Sequence, residues 1–69
     1  MTLPIGAIIR NLRARQKVTQ EQLAASLGVT PQAISRWEAE TGYPDIELQP
    51  SIAAFFGITT DELLGVRLE

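Results

Sequence analysis

One six-residue pattern occurs three times in the sequence and predicts where three helices begin. The segments VTQEQL (18–23), VTPQAI (29–34) and ITTDEL (58–63) each place an aliphatic residue before a threonine and another four positions after it. Such a threonine caps a free N–H of the first helical turn, while the two aliphatic side chains pack together as a hydrophobic staple. Thr19 with Gln22, and Thr59 with Glu62, also match the capping box.

Apolar residues recur along the 69-residue chain at the spacing of an α-helix rather than that of a strand. The expected inward-facing side chains are Ile5, Ile8, Ile9 and Leu12 of a first helix, Leu23, Ala24 and Leu27 of a second, Ile34 and Trp37 of a third, Leu48, Ile52, Phe55 and Phe56 of a fourth, and Leu63 and Leu64 of a fifth. Pro50 is tolerated in a first helical turn, so the fourth helix is predicted to begin near Leu48 or Gln49. The sequence predicts one all-α domain over residues 1–69, with 66–69 as a tail.

The connection between the second and third helices is very short. Gly28 follows the second helix, at a position that favours a left-handed backbone, and only Val29 separates it from the next cap, Thr30. A turn of this length makes the two helices cross steeply, as in a helix-turn-helix. The small side chain of Ala24 permits the close approach that such a crossing needs.

The segment TQEQLAASLGVTPQAISRWE (19–38) resembles the helix-turn-helix of the phage repressor and Cro family, also called the xenobiotic-response-element type. YPDIELQPSIAAFFGITTDELLG (43–65) resembles the loop and the last two helices of that family. The resemblance implies a compact five-helix, repressor-like domain that binds duplex DNA sequence-specifically, with the third helix in the major groove. It also allows that the chain is the N-terminal part of a longer regulator.

The outward face of the third helix carries side chains suited to base edges. Gln32 can pair with adenine and Arg36 with guanine, and Pro31 offers apolar surface to a thymine methyl group. The family resemblance further implies phosphate contacts from Gln20 and from the loop at 41–43. The residues expected to contact DNA are Gln20, Thr30, Pro31, Gln32, Ser35, Arg36, Thr41, Gly42 and Tyr43.

Other interpretations of these residues remain open on sequence alone. Gln32 and Arg36 also fit a solvated helix face, on which Arg36 pairs with Glu40 one turn later. Trp37 shares the inward face with Ile34 and is expected in the core rather than stacked on a base. The family resemblance pairs Arg13 with Glu38, which implies a partly buried structural ion pair.

Charge is divided unevenly along the chain, whose formal net charge is −2. Residues 1–36 carry five basic and one acidic side chain, whereas residues 37–69 carry one basic and seven acidic ones. Glu40 stands where this family usually has glycine, and Asp45 and Glu47 follow in the same loop. Because acidic groups near phosphates reduce affinity, we expect weak non-specific binding and specificity that depends on dimerisation.

The expected partners are double-stranded DNA and a second copy of the chain. A homodimer is predicted to bind a near-palindromic operator with half-sites about one helical turn, ~34 Å, apart. The candidate dimer surface is formed by Leu64, Val66 and Leu68. The alternative is an antitoxin-like or adaptor module that keeps the fold and uses its acidic half on a protein partner.

The chain contains neither histidine nor cysteine, which removes the commonest general base, the commonest metal ligand and any thiolate site. We therefore expect no enzymatic activity, no metal, no cofactor and no small-molecule site in this domain. No apolar run approaches the length of a membrane span and no signal-peptide pattern opens the chain. The expected location is the cytoplasm.

Overall fold

The computed structural model of the protein describes residues 4–63. This part of the chain forms five α-helices: Ile5–Gln16 (α1), Gln20–Leu27 (α2), Pro31–Glu38 (α3), Gln49–Phe56 (α4) and Thr60–Leu63 (α5). The predicted all-α, five-helix class is confirmed, and α4 begins at Gln49 as expected. No helix between residues 4 and 63 is long and apolar enough to cross a membrane.

The predicted threonine caps are present. The Thr19 hydroxyl accepts the Gln22 N–H at 3.0 Å, and the Gln22 side chain accepts the Thr19 N–H at 2.9 Å, completing a capping box. Thr59 and Glu62 form the same reciprocal pair at 3.1 and 2.9 Å. Thr30 accepts an N–H of the first turn of α3 at 3.2 Å. Local sequence therefore determines where α2, α3 and α5 begin.

The aliphatic residue before each of these threonines also closes the preceding helix. α1, α2 and α4 each end in a left-handed residue: Lys17 (φ 56°), Gly28 (φ 72°) and Gly57 (φ 74°). The next N–H then bonds back to a carbonyl inside the helix: Val18 to Arg13 (2.9 Å), Val29 to Ala24 (3.0 Å) and Ile58 to Ala53 (2.9 Å). These are Schellman-type endings, so one aliphatic residue ends one helix and precedes the cap of the next.

A single hydrophobic core joins the five helices. Its buried members are Ile5, Ile9, Leu23, Ala24, Ile34, Trp37, Ile52, Ala53, Phe56 and Leu63. Trp37 is only 6% exposed, which confirms its expected place in the core. Leu64, also expected in the core, lies outside the described residues.

α1 approaches the C-terminal end of α3 at Gly6. A Cβ atom at this position would collide with the carbonyl oxygen of Trp37 and with the Glu40 carboxylate. Hydrophobic periodicity gave no indication of this contact, because glycine contributes no apolar side chain. Gly6 thus sets the distance between α1 and the helix predicted to read DNA.

Candidate nucleic-acid interface

The turn between α2 and α3 is built as the sequence predicted. Gly28 adopts the left-handed conformation, Val29 packs against the core, and Thr30 caps α3. Ala24 is 1% exposed where α2 lies against α3. The short turn fixes the orientation of α3 relative to α2 and leaves the first turn of α3 uncovered.

α3 has one buried and one exposed face. Ile34 and Trp37 lie in the core, whereas Gln32, Ser35 and Arg36 are exposed. Thr30 is exposed and Pro31 is half-buried at the start of the same helix. The predicted base-reading residues therefore share one accessible surface.

The end of α3 differs from the regular helix that an Arg36–Glu40 pair requires. Glu40 has a left-handed backbone (φ 63°), and its N–H bonds to the Trp37 carbonyl at 3.2 Å. Its carboxylate lies at Gly6 of α1. The Arg36–Glu40 pair considered from the sequence is therefore wrong, because Glu40 has left the helix; the ion pair formed within residues 4–63 is Arg13–Glu38.

Thr41 completes this helix end by binding to the backbone of Arg36. Its N–H and its hydroxyl both donate to the Arg36 carbonyl, at 3.0 and 3.3 Å. The carbonyl oxygen of Arg36 thus accepts two hydrogen bonds from Thr41, while the side chain of Arg36 remains exposed.

The loop after α3 holds the remaining predicted contacts. Thr41 and Tyr43 are exposed and Gly42 is half-buried. Tyr43 and Ile46 are 69% and 79% exposed, the largest exposed hydrophobic side chains in the described part of the chain. No lysine or arginine occurs in residues 39–48, so the loop offers backbone groups but no side-chain cation to a phosphate.

A polar cluster of Arg10, Arg13, Gln20 and Glu38, here called the Glu38 cluster, lies where α1, α2 and α3 meet. Arg13 binds the Glu38 carboxylate twice, with Nε to Oε2 at 2.6 Å and Nη2 to Oε1 at 2.9 Å. Gln20 Nε2 donates to the same Oε1 at 3.2 Å, and Arg10 Nη2 donates to the Glu38 carbonyl at 3.3 Å. The cluster joins α1, α2 and α3 at one buried side chain, since Glu38 is 7% exposed.

The charge of Glu38 follows from these contacts. Burial alone raises the pKa of its carboxyl, but hydrogen bonds from Arg13 and Gln20, together with the positive charges of Arg13 and Arg10, outweigh burial and hold the pKa below its usual value. The hydrogen bond to Glu38 likewise raises the pKa of Arg13. Glu38 therefore remains an ionised acceptor at neutral pH.

The sequence did not suggest the bond between Gln20 and Glu38. The two residues lie on different helices, 18 positions apart, and no spacing rule connects them. The resemblance pointed to Arg13 and Glu38 as a pair and to Gln20 as a separate phosphate contact. Within residues 4–63 no cluster of potential metal-binding side chains accompanies these groups.

A family model for helix-turn-helix domains matches residues 9–63, which form most of the chain. The chain belongs to the helix-turn-helix family. Its type is that of Cro and C1, the family of DNA-binding transcription regulators expected from the sequence.

Proteins similar to this helix-turn-helix chain include a transcriptional activator and two proteins whose structures were solved in complex with DNA. It is 48% identical over 57 residues to the HTH-type transcriptional activator BcrR of Enterococcus faecalis, covering 83% of this chain and 28% of that protein. The P22 c2 repressor in complex with a synthetic operator superposes with a TM-score of 0.84 and 32% identity, over 91% of this chain and 96% of that one. PlcR of Bacillus thuringiensis, in complex with the peptide PapR7 and DNA, gives a TM-score of 0.81 and 26% identity, over 96% of this chain and 23% of that one.

Proposed function

We propose that this chain binds duplex DNA sequence-specifically, as the DNA-binding domain of a transcriptional regulator. The observation that carries the proposal is the exposed polar face of α3, held on a helix whose opposite face is locked into the core. The DNA complexes of the P22 c2 repressor and PlcR support it, since both are similar to this chain over more than nine-tenths of its length. Because the chain corresponds to 28% of BcrR, the activity of a whole regulator is part of the proposal.

α3 would enter the major groove with its exposed face toward the base edges. Arg36 can donate two hydrogen bonds to guanine, and Gln32 can pair with adenine through both amide groups. Ser35 lies between them on the same face, and Pro31 can contact a thymine methyl group at the start of the helix. The side chains of one α3 thus suffice for only a few base pairs.

Phosphate contacts would come mainly from the N-terminus of α2. The first N–H groups of a helix have no intrahelical partner, and the Thr19 cap occupies only that of Gln22. The backbone N–H groups of residues 20 and 21 and the Gln20 side chain therefore remain as donors at the positive end of the helix dipole. The Thr30 hydroxyl and the backbone of Thr41, Gly42 and Tyr43 complete the proposed set.

A second copy of the chain would bind the adjacent half-site of a near-palindromic operator, ~34 Å away. Each recognised base pair contributes about 1–3 kcal/mol, so one short recognition helix gives limited discrimination and two give roughly double. The shortage of cations in the 39–48 loop also favours a dimer, because one copy gains little from phosphates. The predicted dimer surface at Leu64, Val66 and Leu68 lies outside the described residues.

Selection of bound sequences from random duplexes, followed by a salt titration on the selected site, tests the proposal. We expect an enriched, near-symmetric sequence. The logarithm of the affinity should fall linearly with the logarithm of the salt concentration, with a slope of about −0.9 per neutralised phosphate. Weak salt-sensitive binding with no enriched sequence would reject sequence-specific regulation.

Arg36→Ala is expected to weaken binding to the selected site by about 1–3 kcal/mol and to relax preference at one base pair. The cause is loss of the paired donors that distinguish guanine from the other bases. Repeating the selection with the variant measures the preference directly. Arg15→Ala, which removes an exposed arginine from α1, is the matched control and should leave base preference unchanged. An equal loss on every sequence would instead assign Arg36 to a phosphate.

Gln20→Ala is expected to weaken binding by about 1–2 kcal/mol on every duplex, because a contact to phosphate carries no base information. Affinities on the selected site and on several single-base variants measure this. Gln32→Ala is the contrasting variant, with its loss concentrated at one base pair. A change of preference in Gln20→Ala would show that Gln20 reads a base.

An adaptor or antitoxin-like module is the second candidate function. It is favoured by the exposed Tyr43 and Ile46 side chains, which lie in a loop that also carries Asp45 and Glu47. Apolar side chains among acidic ones suit a basic protein surface better than a phosphate backbone. The duplex selection separates the two functions, since an adaptor that does not read DNA enriches no sequence.

A further inference from the structure

We propose that Glu38 is a positioning residue for DNA binding: its carboxylate orients the side-chain amide of Gln20 toward a phosphate. The inference rests on the proposed function, because it concerns the phosphate contact assigned to Gln20. It adds a role for a buried residue that itself touches no DNA.

The contact between the two side chains is direct. Gln20 Nε2 lies 3.2 Å from Glu38 Oε1, and the Gln20 side chain is half-buried at the first position of α2. The Arg13–Glu38 ion pair does not require it, because Arg13 already binds both carboxylate oxygens. Gln20 uses further acceptor capacity on Oε1, which a carboxylate oxygen has available.

The charge of Glu38 determines which way the amide faces. An ionised carboxylate only accepts hydrogen bonds, so the Gln20 amide must present its nitrogen and not its carbonyl oxygen. One N–H is then engaged with Oε1, and the second N–H of the same nitrogen points elsewhere and is available to a phosphate. A flipped amide would place two oxygens together at Glu38. Glu38 thus selects the orientation in which the nitrogen stays at the N-terminus of α2.

The carboxylate is itself held in place. Arg13 fixes it through two hydrogen bonds and also donates from Nη1 to the Val18 carbonyl at 2.9 Å. Arg10 donates to the Glu38 carbonyl at 3.3 Å. The positive charge of Arg13 compensates the carboxylate, so the pair orients Gln20 without adding net negative charge near the phosphate.

The test is a scan of the selected duplex with single methylphosphonates, each of which removes one phosphate charge. The double variant Arg13→Met, Glu38→Met replaces the ion pair by apolar side chains of similar length, a change that commonly preserves folding. It removes the acceptor for Gln20 and leaves the net charge unchanged. Leu12→Ala, a packing variant of α1, is the control for any loss of stability.

In the unmodified protein we expect one phosphate whose neutralisation weakens binding about tenfold or more, and in Gln20→Ala we expect most of that penalty to disappear. The Met double variant should reduce the penalty at that phosphate to about threefold or less while leaving the others unchanged. An unchanged or larger penalty at that phosphate overturns the inference. So does an equal reduction at all phosphates, which is the pattern expected of a general loss of stability such as that in Leu12→Ala. If the penalty at that phosphate is unchanged in Gln20→Ala, the inference is also overturned, but the proposed sequence-specific binding is not. If the selection enriches no site, the proposed function itself has failed.

A measurement on the free protein supplies a second readout. The NMR signals of the two side-chain amide protons of Gln20 should lie farther apart than those of an exposed glutamine, because the hydrogen bond to the carboxylate shifts one of them downfield. In the Met double variant they should approach the positions of an exposed glutamine such as Gln32. Identical Gln20 signals in both proteins would contradict the positioning role.

Discussion

Replacing Glu38 by alanine is expected to lower the free energy of unfolding by about 2–4 kcal/mol. Removal of one partner from a buried ion pair commonly costs 3–5 kcal/mol, and the 18% exposure of Arg13 reduces that figure. The substitution leaves the Arg13 guanidinium without its carboxylate partner and also removes the hydrogen-bond acceptor of Gln20. A domain of this size has a total stability of roughly 3–10 kcal/mol. Urea unfolding followed by circular dichroism measures the loss.

The matched comparison is the variant that replaces both Arg13 and Glu38 by methionine. It leaves no unpaired charge, so we expect its stability to lie within about 1 kcal/mol of the unmodified protein. If Glu38→Ala lowers the free energy of unfolding by less than the double replacement does, the ion pair does not stabilise the Glu38 cluster.

The pH dependence of stability should carry the signature of the same carboxylate. The folded protein holds the pKa of Glu38 below its ordinary value, near 4.3 in an unfolded chain. Its contribution is therefore fully present above that value and is lost as the pH falls through the lowered pKa of the folded state. Glu38→Gln cannot titrate, so the stability difference between it and the unmodified protein should shrink below about pH 4. A difference independent of pH would contradict this assignment.

Gly6→Ala is expected to destabilise the domain by about 3 kcal/mol, although alanine is the better helix former by about 1 kcal/mol. The added Cβ meets the carbonyl oxygen of Trp37, a backbone atom at the end of a helix fixed in the core. α1 and α3 must therefore separate, and the packing of Ile5 and Ile9 is disturbed with them. The melting temperature should fall by roughly 10–20 °C.

Two controls isolate the cause. Gly28→Ala adds a Cβ into open space, so its cost is limited to the left-handed backbone, about 1–2 kcal/mol. Adding Glu40→Ala to Gly6→Ala removes the flexible carboxylate from the same spot but not the Trp37 carbonyl, and it should not restore stability. A higher melting temperature for Gly6→Ala would mean that α1 lies farther from α3 than the structure places it.

The helix starts were predictable because their causes lie within a few residues. The hydroxyls of Thr19 and Thr59 accept hydrogen bonds from the N–H groups three positions later, and the sequence pattern alone identifies an N-cap of this kind. The steep turn at Gly28 was predictable for the same reason, since a glycine followed closely by a cap leaves few conformations. The core residues followed from helical periodicity, which gave Ile34 and Trp37 their inward positions.

Features that depend on distant parts of the chain were not predictable in this way. Gly6 has meaning only when the end of α3 is placed beside it. Lys17 takes a left-handed backbone at a helix end where glycine is the common residue, and its residue type gave no indication of that conformation. In the candidate site, residue spacing predicted the exposed face of α3, whereas the hydrogen bond from Gln20 to Glu38 forms only when α2 and α3 are packed together.

The two hydrogen bonds from Thr41 to the Arg36 carbonyl have a consequence for the energetics of recognition. Ordering a backbone residue costs about 1–2 kcal/mol, whereas immobilising a side chain on binding costs about 0.5–1.5 kcal/mol. With the end of α3 already fixed, Arg36 would lose only side-chain rotamer freedom in its proposed contact with DNA. We therefore expect association to behave as the docking of two rigid surfaces, with a rate governed by encounter and not by a folding step.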